Sequence, residues 1–201
     1  MGGAEWNLRL KYINRAYEEW ANAYEWEALR QTQYLSITGV SQASITLAGN
    51  FHKMAAYPLN YSGGVSGGEE WPEIQPNERK LYSDTDNYFY ILGNRGAGHT
   101  MIWNPGTLAS GASIFIQYYS FPSSLASPAD IPVISDPEFL VERAIAYVFE
   151  SRSDARFQEI EAKAREKLLL AIDNENTKSK AYKNTIETPE RLYFSFRLGR
   201  D

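Results

Sequence analysis

Charge is spread so unevenly along this chain that one uniform architecture is excluded. Residues 32–135 hold 11 charged side chains in 104 positions, whereas the other 97 positions hold 34. The same middle segment carries 11 of the 14 glycines and 7 of the 9 prolines. Glycine and proline at such intervals punctuate short strands, while charge-rich flanks suit helices with a solvated side. The pattern predicts an α+β chain, helical at both ends and β in between.

In the first flank, Trp6, Leu10, Ile13, Tyr17, Trp20 and Tyr24 fall at steps of 4, 3, 4, 3 and 4, one apolar stripe along a helix over 5–26. The middle segment contains short runs rich in β-branched and aromatic residues: 33–37, 44–47, 79–82, 87–92, 100–103 and 113–119. Gly93–Gly98 reads as a hairpin loop. Asp136 then suits an N-cap, with Pro137 at the first helical position of a helix over 138–150. A further helix is expected from Ser153 to 172, where Phe157, Ile160, Ala164, Leu168 and Ala171 make a second stripe. Two such helices form an antiparallel pair that needs a third partner, and the first helix supplies it. The expected organisation is a discontinuous three-helix domain, 1–31 plus 136–176. Into it is inserted a small antiparallel β domain, sandwich or barrel-like, at 32–135.

Residues 177–201 carry six basic and three acidic side chains, a net of +3 on a chain whose formal charge is −5. Pro189 argues against one continuous helix there, and Leu192–Phe196 is a β-prone run, so an extended C-terminal arm is expected. Fully extended it would reach roughly 80 Å at about 3.3 Å per residue, which favours ordering against another subunit. Tyr182, Arg191, Tyr193, Phe194, Phe196 and Arg197 are the candidate anchors, because aromatic residues and Arg are enriched at interface hot spots.

Composition narrows the chemistry. A chain of 201 residues removes on the order of 70% of its unfolded surface from water, so it needs no disulfide or structural metal to be stable. With Cys 0 there is no thiol nucleophile or thiolate-bound metal, and two histidines leave little for a metal centre. No run approaches eighteen apolar residues, and Met1–Trp6 lacks a basic region and an apolar signal core; synthesis in the cytoplasm and no membrane partner are expected.

His52 and His99 are the available neutral bases. The loop Gly93-Asn94-Arg95-Gly96-Ala97-Gly98 lies between strands, whereas a phosphate cradle needs a following helix. Asp84-Thr85-Asp86-Asn87 lacks the glycine and glutamate of a calcium loop and reads as a turn. Glu18–Glu19 and Glu69–Glu70 read as solvated charge, since adjacent helical residues point about 100° apart. No catalytic residue, cofactor site or metal site is therefore assigned, and the chain is not expected to be an enzyme.

Three stretches carry a family resemblance. Trp26-Glu27-Ala28-Leu29 ends the first helix and passes straight into Gln33-Tyr34-Leu35-Ser36-Ile37. Ile116-Gln117-Tyr118-Tyr119-Ser120-Phe121-Pro122-Ser123-Ser124-Leu125 is followed by Asp130-Ile131-Pro132-Val133-Ile134 and the helix start Glu138-Phe139-Leu140-Val141. Over most of 5–172 the chain resembles the head-to-tail connector (adaptor) proteins of tailed bacteriophages. In that family a strand ends in paired tyrosines, a proline and a leucine follow, and an Asp-x-Pro stretch leads into the penultimate helix. Residues 177–201 and Ser62–Gly68 lie outside the resemblance.

The resemblance implies a virion protein of the head–tail neck, made in the host cytoplasm and forming a homo-oligomeric ring of twelve copies. Such a ring docks on the portal protein, extends the DNA channel and supports the next neck or tail protein, with duplex DNA passing through unbound. The alternative is a carbohydrate- or receptor-binding β module, suggested by 14 Tyr and 5 Trp. That reading requires exposed coplanar aromatics on a stable monomer; the adaptor reading requires ring assembly and buried aromatics.

Overall fold

A computed structural model describes residues 3–39, 42–60, 70–83, 85–104, 108, 111–134 and 136–195, with the side chains of 3, 4 and 179–195 excepted. The chain is mixed helix and antiparallel sheet and divides into two compact units, Met1–Tyr24 with Leu125–Asp201, and Glu25–Ser124. Among the described residues, no helix is long and apolar enough to cross a membrane.

The first unit holds α1 (Gly3–Ala23), α2 (Glu138–Ser151) and α3 (Phe157–Ser195). Of the stripe expected on α1, Trp6, Leu10, Ile13 and Tyr24 are half-buried, while Tyr17 and Trp20, with Ala16 and Ala21 beside them, are at most 4% exposed. They pack with Phe139, Leu140, Ala144, Ala146 and Tyr147 of α2, and α2 packs in turn on α3 around buried Ala164. At the start of α2 the Asp136 carboxylate accepts from the Glu138 amide at 3.1 Å, satisfying one N–H that the helix leaves open. Between α2 and α3 the chain turns through Ser153 in the left-handed region, φ 53°. The cap that follows is Asp154, which takes the Arg156 amide and pairs with its guanidinium at 2.7 Å. Those bonds hold the Asp154 carboxyl down to about 2.

One side chain ties the three helices together. Arg143 on α2 is 15% exposed; its Nε donates to Glu19 Oε2 on α1 at 2.7 Å, and its Nη1 lies 3.5 Å from Glu161 Oε1 on α3 without a hydrogen bond. The Tyr147 hydroxyl donates to the same Glu19 oxygen at 2.5 Å, and the Arg15 and Arg143 guanidinium groups lie 3.9 and 4.5 Å from the Tyr147 ring centroid. Burial opposes the charge on Arg143, but the hydrogen bond and charge of Glu19 outweigh it and raise the guanidinium pKa.

The second unit is built around one long strand. Strands are β1 (Arg30–Ser36), β2 (Ser44–Thr46), β3 (Phe51–Met54), β4 (Leu59–Asn60), β5 (Phe89–Asn94), β6 (Gly98–Trp103) and β7 (Ser113–Ser120). Along β7 every second residue is buried, Ile114, Ile116, Tyr118 and Ser120, the period of a strand with one face inward. It pairs with β1 along its whole length, from Arg30 opposite Tyr119 to Ser36 opposite Ser113, and on its other side with β3 and β4. The second sheet has the order β2-β6-β5. Leu35, Phe51, Ile114 and Ile116 from the first sheet and Phe89, Met101 and Trp103 from the second share one core, with Trp71 among them. Gly93–Gly98 is the hairpin between β5 and β6, where Asn94 Oδ1 accepts from the Gly96 and Ala97 amides. Gly93 is obligatory there: φ is +115°, and a Cβ would stand 2.1 Å from the Gly98 carbonyl oxygen.

Several expectations need correction. Residues 79–82 are not a strand, since Glu78–Leu81 is a 3-10 turn; its charged sequence leaves no buried side chain to hold it in a sheet. The first helix stops at Ala23 rather than 26, and Trp26 instead precedes a 3-10 turn, 4% exposed. β3 and β4 were not anticipated, because each is too short to show its period. The extended C-terminal arm is overturned as far as Ser195: α3 continues through Pro189. Pro removes one backbone hydrogen bond, but residues 157–195 contain no glycine, and their many Lys, Glu, Arg, Leu and Ala favour helix on both sides.

Arg143→Met is expected to destabilise the helical unit by about 2–3 kcal/mol, because it leaves Glu19 and Glu161 without their shared cation. Glu161→Gln should change stability by under about 1 kcal/mol: it weakens an (i, i+4) pair with exposed Arg165, whose hydrogen bond the Gln amide oxygen can still accept, and it removes no hydrogen bond from Arg143. Urea unfolding of the two variants separates these effects, and equal midpoints would remove Arg143 from its central place.

Candidate interaction surfaces

In the helical unit, residues 125–134 run as a strap fastened to α1. The Asn14 side-chain amide pairs with the backbone of Leu125, accepting from its N–H at 2.8 Å and donating to its carbonyl at 2.9 Å. The buried Tyr17 hydroxyl accepts from the Val133 amide at 2.7 Å. Between these points Asp130 closes a turn by accepting from the Ala126 and Ser127 amides at 2.6 and 2.9 Å. Those two backbone bonds lower its pKa.

Beside the strap, α1 and α2 leave an open groove of about 620 Å³. Leu8, Tyr12, Leu140, Val141, Ile145 and Val148 line it, with Glu5, Arg9 and Arg152 among its polar residues. Leu8 is 50%, Val141 55% and Ile145 39% exposed, so the groove presents apolar carbon to water. Clefts of this size bury most of a ligand's surface, and exposed apolar patches mark contact sites. The cause is legible in α2: Phe139, Leu140, Ala144 and Tyr147 face inward, while Val141, Ile145 and Val148 form a second apolar stripe at steps of 4 and 3.

In the β unit both histidines of the chain meet around two phenylalanines. A bulge between Phe51 and Lys53 sets His52 out of register, and its ring lies 4.2 Å from that of Phe121. Bulges re-aim side chains in this way. Arg95, from the β5–β6 hairpin, stands 4.4 Å from the same Phe121 ring, and the His99 ring lies 5.1 Å from Phe51. Burial, then the charges of Lys53, His99 and Arg95, lower the pKa of His52.

The candidates named from sequence are distributed as follows. Tyr182, Arg191, Tyr193 and Phe194 fall on α3, their side chains outside the described residues; Phe196 and Arg197 lie wholly outside them. Glu19 is half of a structural ion pair. Asp86 holds a turn by accepting from the Ser83 amide, while buried Asn104 donates to the carbonyls of Ser83 and Asp86; Asp84 and Glu69 lie outside the described residues. Among the described residues, no group of three or more His, Asp or Glu is placed to hold a metal ion. Sequence reasoning missed the groove, although α2's second stripe was available to it. It also missed the meeting of His52 and His99, which no local pattern signals.

The chain matches no protein-family model, and no curated protein matches it either.

Because the folded protein disfavours protonation of His52, the β unit has this contribution in full above the ordinary histidine pKa of 6.5 and loses it as pH falls through the lower folded value. Thermal unfolding is expected to shift to lower temperature between about pH 7 and pH 5. His52→Phe keeps a ring against Phe121 and should flatten that slope; an unchanged slope would clear His52.

Proposed function

We propose that this chain is a structural adaptor of a tailed-bacteriophage neck. Twelve copies form a ring that docks on the portal, extends the DNA channel and supports the next neck or tail protein. In this reading a discontinuous helical domain carries an inserted β domain, as the periodicity and charge pattern of the sequence imply. The observation that carries it is the structural role of the resembling residues. Tyr118 and Tyr119 close β7, and Leu125 is clamped by Asn14. Asp130 closes the turn before Pro132, Val133 is bonded to Tyr17, and Glu138 opens α2. Within the helical unit the Leu125 and Val133 backbone is fastened to α1, which gives those residue types a structural reason for standing in that order.

Charge and exposure agree with the reading. Twelve copies at −5 set about −60 around a pore, and a negative lining lets duplex DNA pass without the contacts that release its counterions. The open groove of the helical unit gives a subunit something to bury on assembly. The carbohydrate-binding alternative is disfavoured by the aromatic residues. Trp20, Trp26, Trp71 and Trp103 are at most 4% exposed, and exposed Tyr34 and Tyr82 meet half-buried Phe115 and Tyr88 at tilts of 48° and 52°.

Mixing the protein with the portal of the same virus and imaging by electron microscopy is expected to show a collar of added density around the portal. Bare portals at saturating protein would end the adaptor reading. Deletion of 177–201 should lower collar occupancy while leaving the unfolding temperature of the remaining body unchanged.

A further inference from the structure

The groove between α1 and α2 is open in a chain whose own C-terminal segment has the pattern to fill it. Tyr182, Ile186, Pro189, Tyr193 and Phe196 follow one another at steps of 4, 3, 4 and 3, the spacing of one side of a helix. The backbone of α3 is helical as far as Ser195. An amphipathic helix laid into an apolar groove is a recurring recognition mode, read as anchors at this spacing.

Direction decides whose groove it is. Contacts between Glu19 and Arg143, and between Tyr12 and Tyr147, make α1 antiparallel to α2. Those between Arg143 and Glu161, and between Glu138 and Lys167, make α3 antiparallel to α2. α3 therefore runs alongside α1 in the same sense, and just past the end of α1 the Tyr24 hydroxyl meets Asn176 Oδ1 at 2.6 Å. The groove runs back from that end along α2, from Pro137, Leu140 and Val141 to Phe149 and Arg152, with Glu5, Leu8 and Arg9 of α1 among its lining. Beyond Asn176 the helix continues for 19 residues to Ser195, about 28 Å at 1.5 Å per residue, leading away from its own groove. To enter that groove the helix would have to break and reverse; to enter a neighbour's it need not.

Charge favours the same pairing. Residues 177–201 carry a net +3, while the rest of the helical unit, residues 1–24 and 125–176, holds nine basic and fourteen acidic side chains, a net of −5. That difference steers the basic segment of another copy to this unit at long range; within the contact residues 182–196 are balanced, two basic against two acidic, so the apolar anchors carry it.

We infer that residues 182–196 of one copy occupy the α1–α2 groove of a second copy, with Tyr182, Ile186 and Tyr193 against Leu8, Val141 and Ile145. The contact joins different surfaces of the two copies, so it is heterologous and makes a ring where the rotation between copies closes, as the proposed twelve-fold assembly requires. The inference deepens the proposed ring and rests on it for the presence of neighbouring copies.

The test uses the full chain and a fluorescein-labelled synthetic peptide of residues 179–201, followed by anisotropy. Binding is expected, it should persist at about 0.5 M salt because the anchors are apolar, and a scrambled peptide of the same composition should not reproduce it. Full-length protein carrying Ile145→Glu, an exposed position, should keep its unfolding temperature and lose affinity by about tenfold or more. No binding at about 100 µM protein, or equal binding by the Ile145→Glu protein or the scrambled peptide, overturns the inference.

With Cys 0, single-cysteine proteins give a second readout. Mixed Ile145→Cys and Tyr193→Cys proteins should form a disulfide about tenfold faster than Ile145→Cys with Gln31→Cys; equal rates overturn the inference. A collar on the portal without peptide binding leaves the adaptor reading standing and removes this contact. Peptide binding without a collar does the reverse.

Discussion

Arg143 is the point at which the helical unit closes. One guanidinium on α2 serves Glu19 on α1 by a hydrogen bond and Glu161 on α3 by charge, while Tyr147 one turn later completes the Glu19 oxygen. Burial penalises each of these groups separately, so the arrangement is favourable only when all are in place. It also fixes the azimuth of α2. With Arg143 and Tyr147 directed to their partners and Phe139, Leu140 and Ala144 inward, Val141 and Ile145 are left facing out. The groove is thus a consequence of the ion network as much as of the apolar pattern.

The β unit depends in a similar way on β7. A strand with buried residues at every second position and partners on both sides leaves little freedom of register, because a one-residue slip would carry Ile114, Ile116 and Tyr118 to the opposite face. The bulge in β3 is the local exception. It brings His52 onto Phe121, beside the hairpin that Gly93 makes possible, and so a cationic and aromatic cluster arises at one end of the sheet.

The two surfaces have different physical characters. The groove is apolar carbon held open by rigid helices, suited to burying side chains of a partner. The histidine cluster gathers Lys53, Arg95 and two imidazoles in a unit that is otherwise acidic, and the folded environment disfavours the charge on His52. In the proposed adaptor reading the first bears on assembly and the second on the stability of the β unit.

The sequence by itself determined the division into helical flanks and a glycine-punctuated β middle. Periodicity and charge are local, and the α1 stripe, the start of α2 and the alternation in β7 are each readable within a few residues. It did not determine the brief strands β3 and β4, the continuation of α3 through Pro189, or the fate of Glu19, which reads as solvated charge and is a buried ion's partner. Those depend on what meets each segment in space: β7 beside two- and four-residue strands, and Arg143 opposite a carboxylate 124 residues away in sequence. The groove stands between the two cases, because its stripe on α2 is written in the sequence, but only packing decides which of two apolar stripes is covered and which is left for a partner.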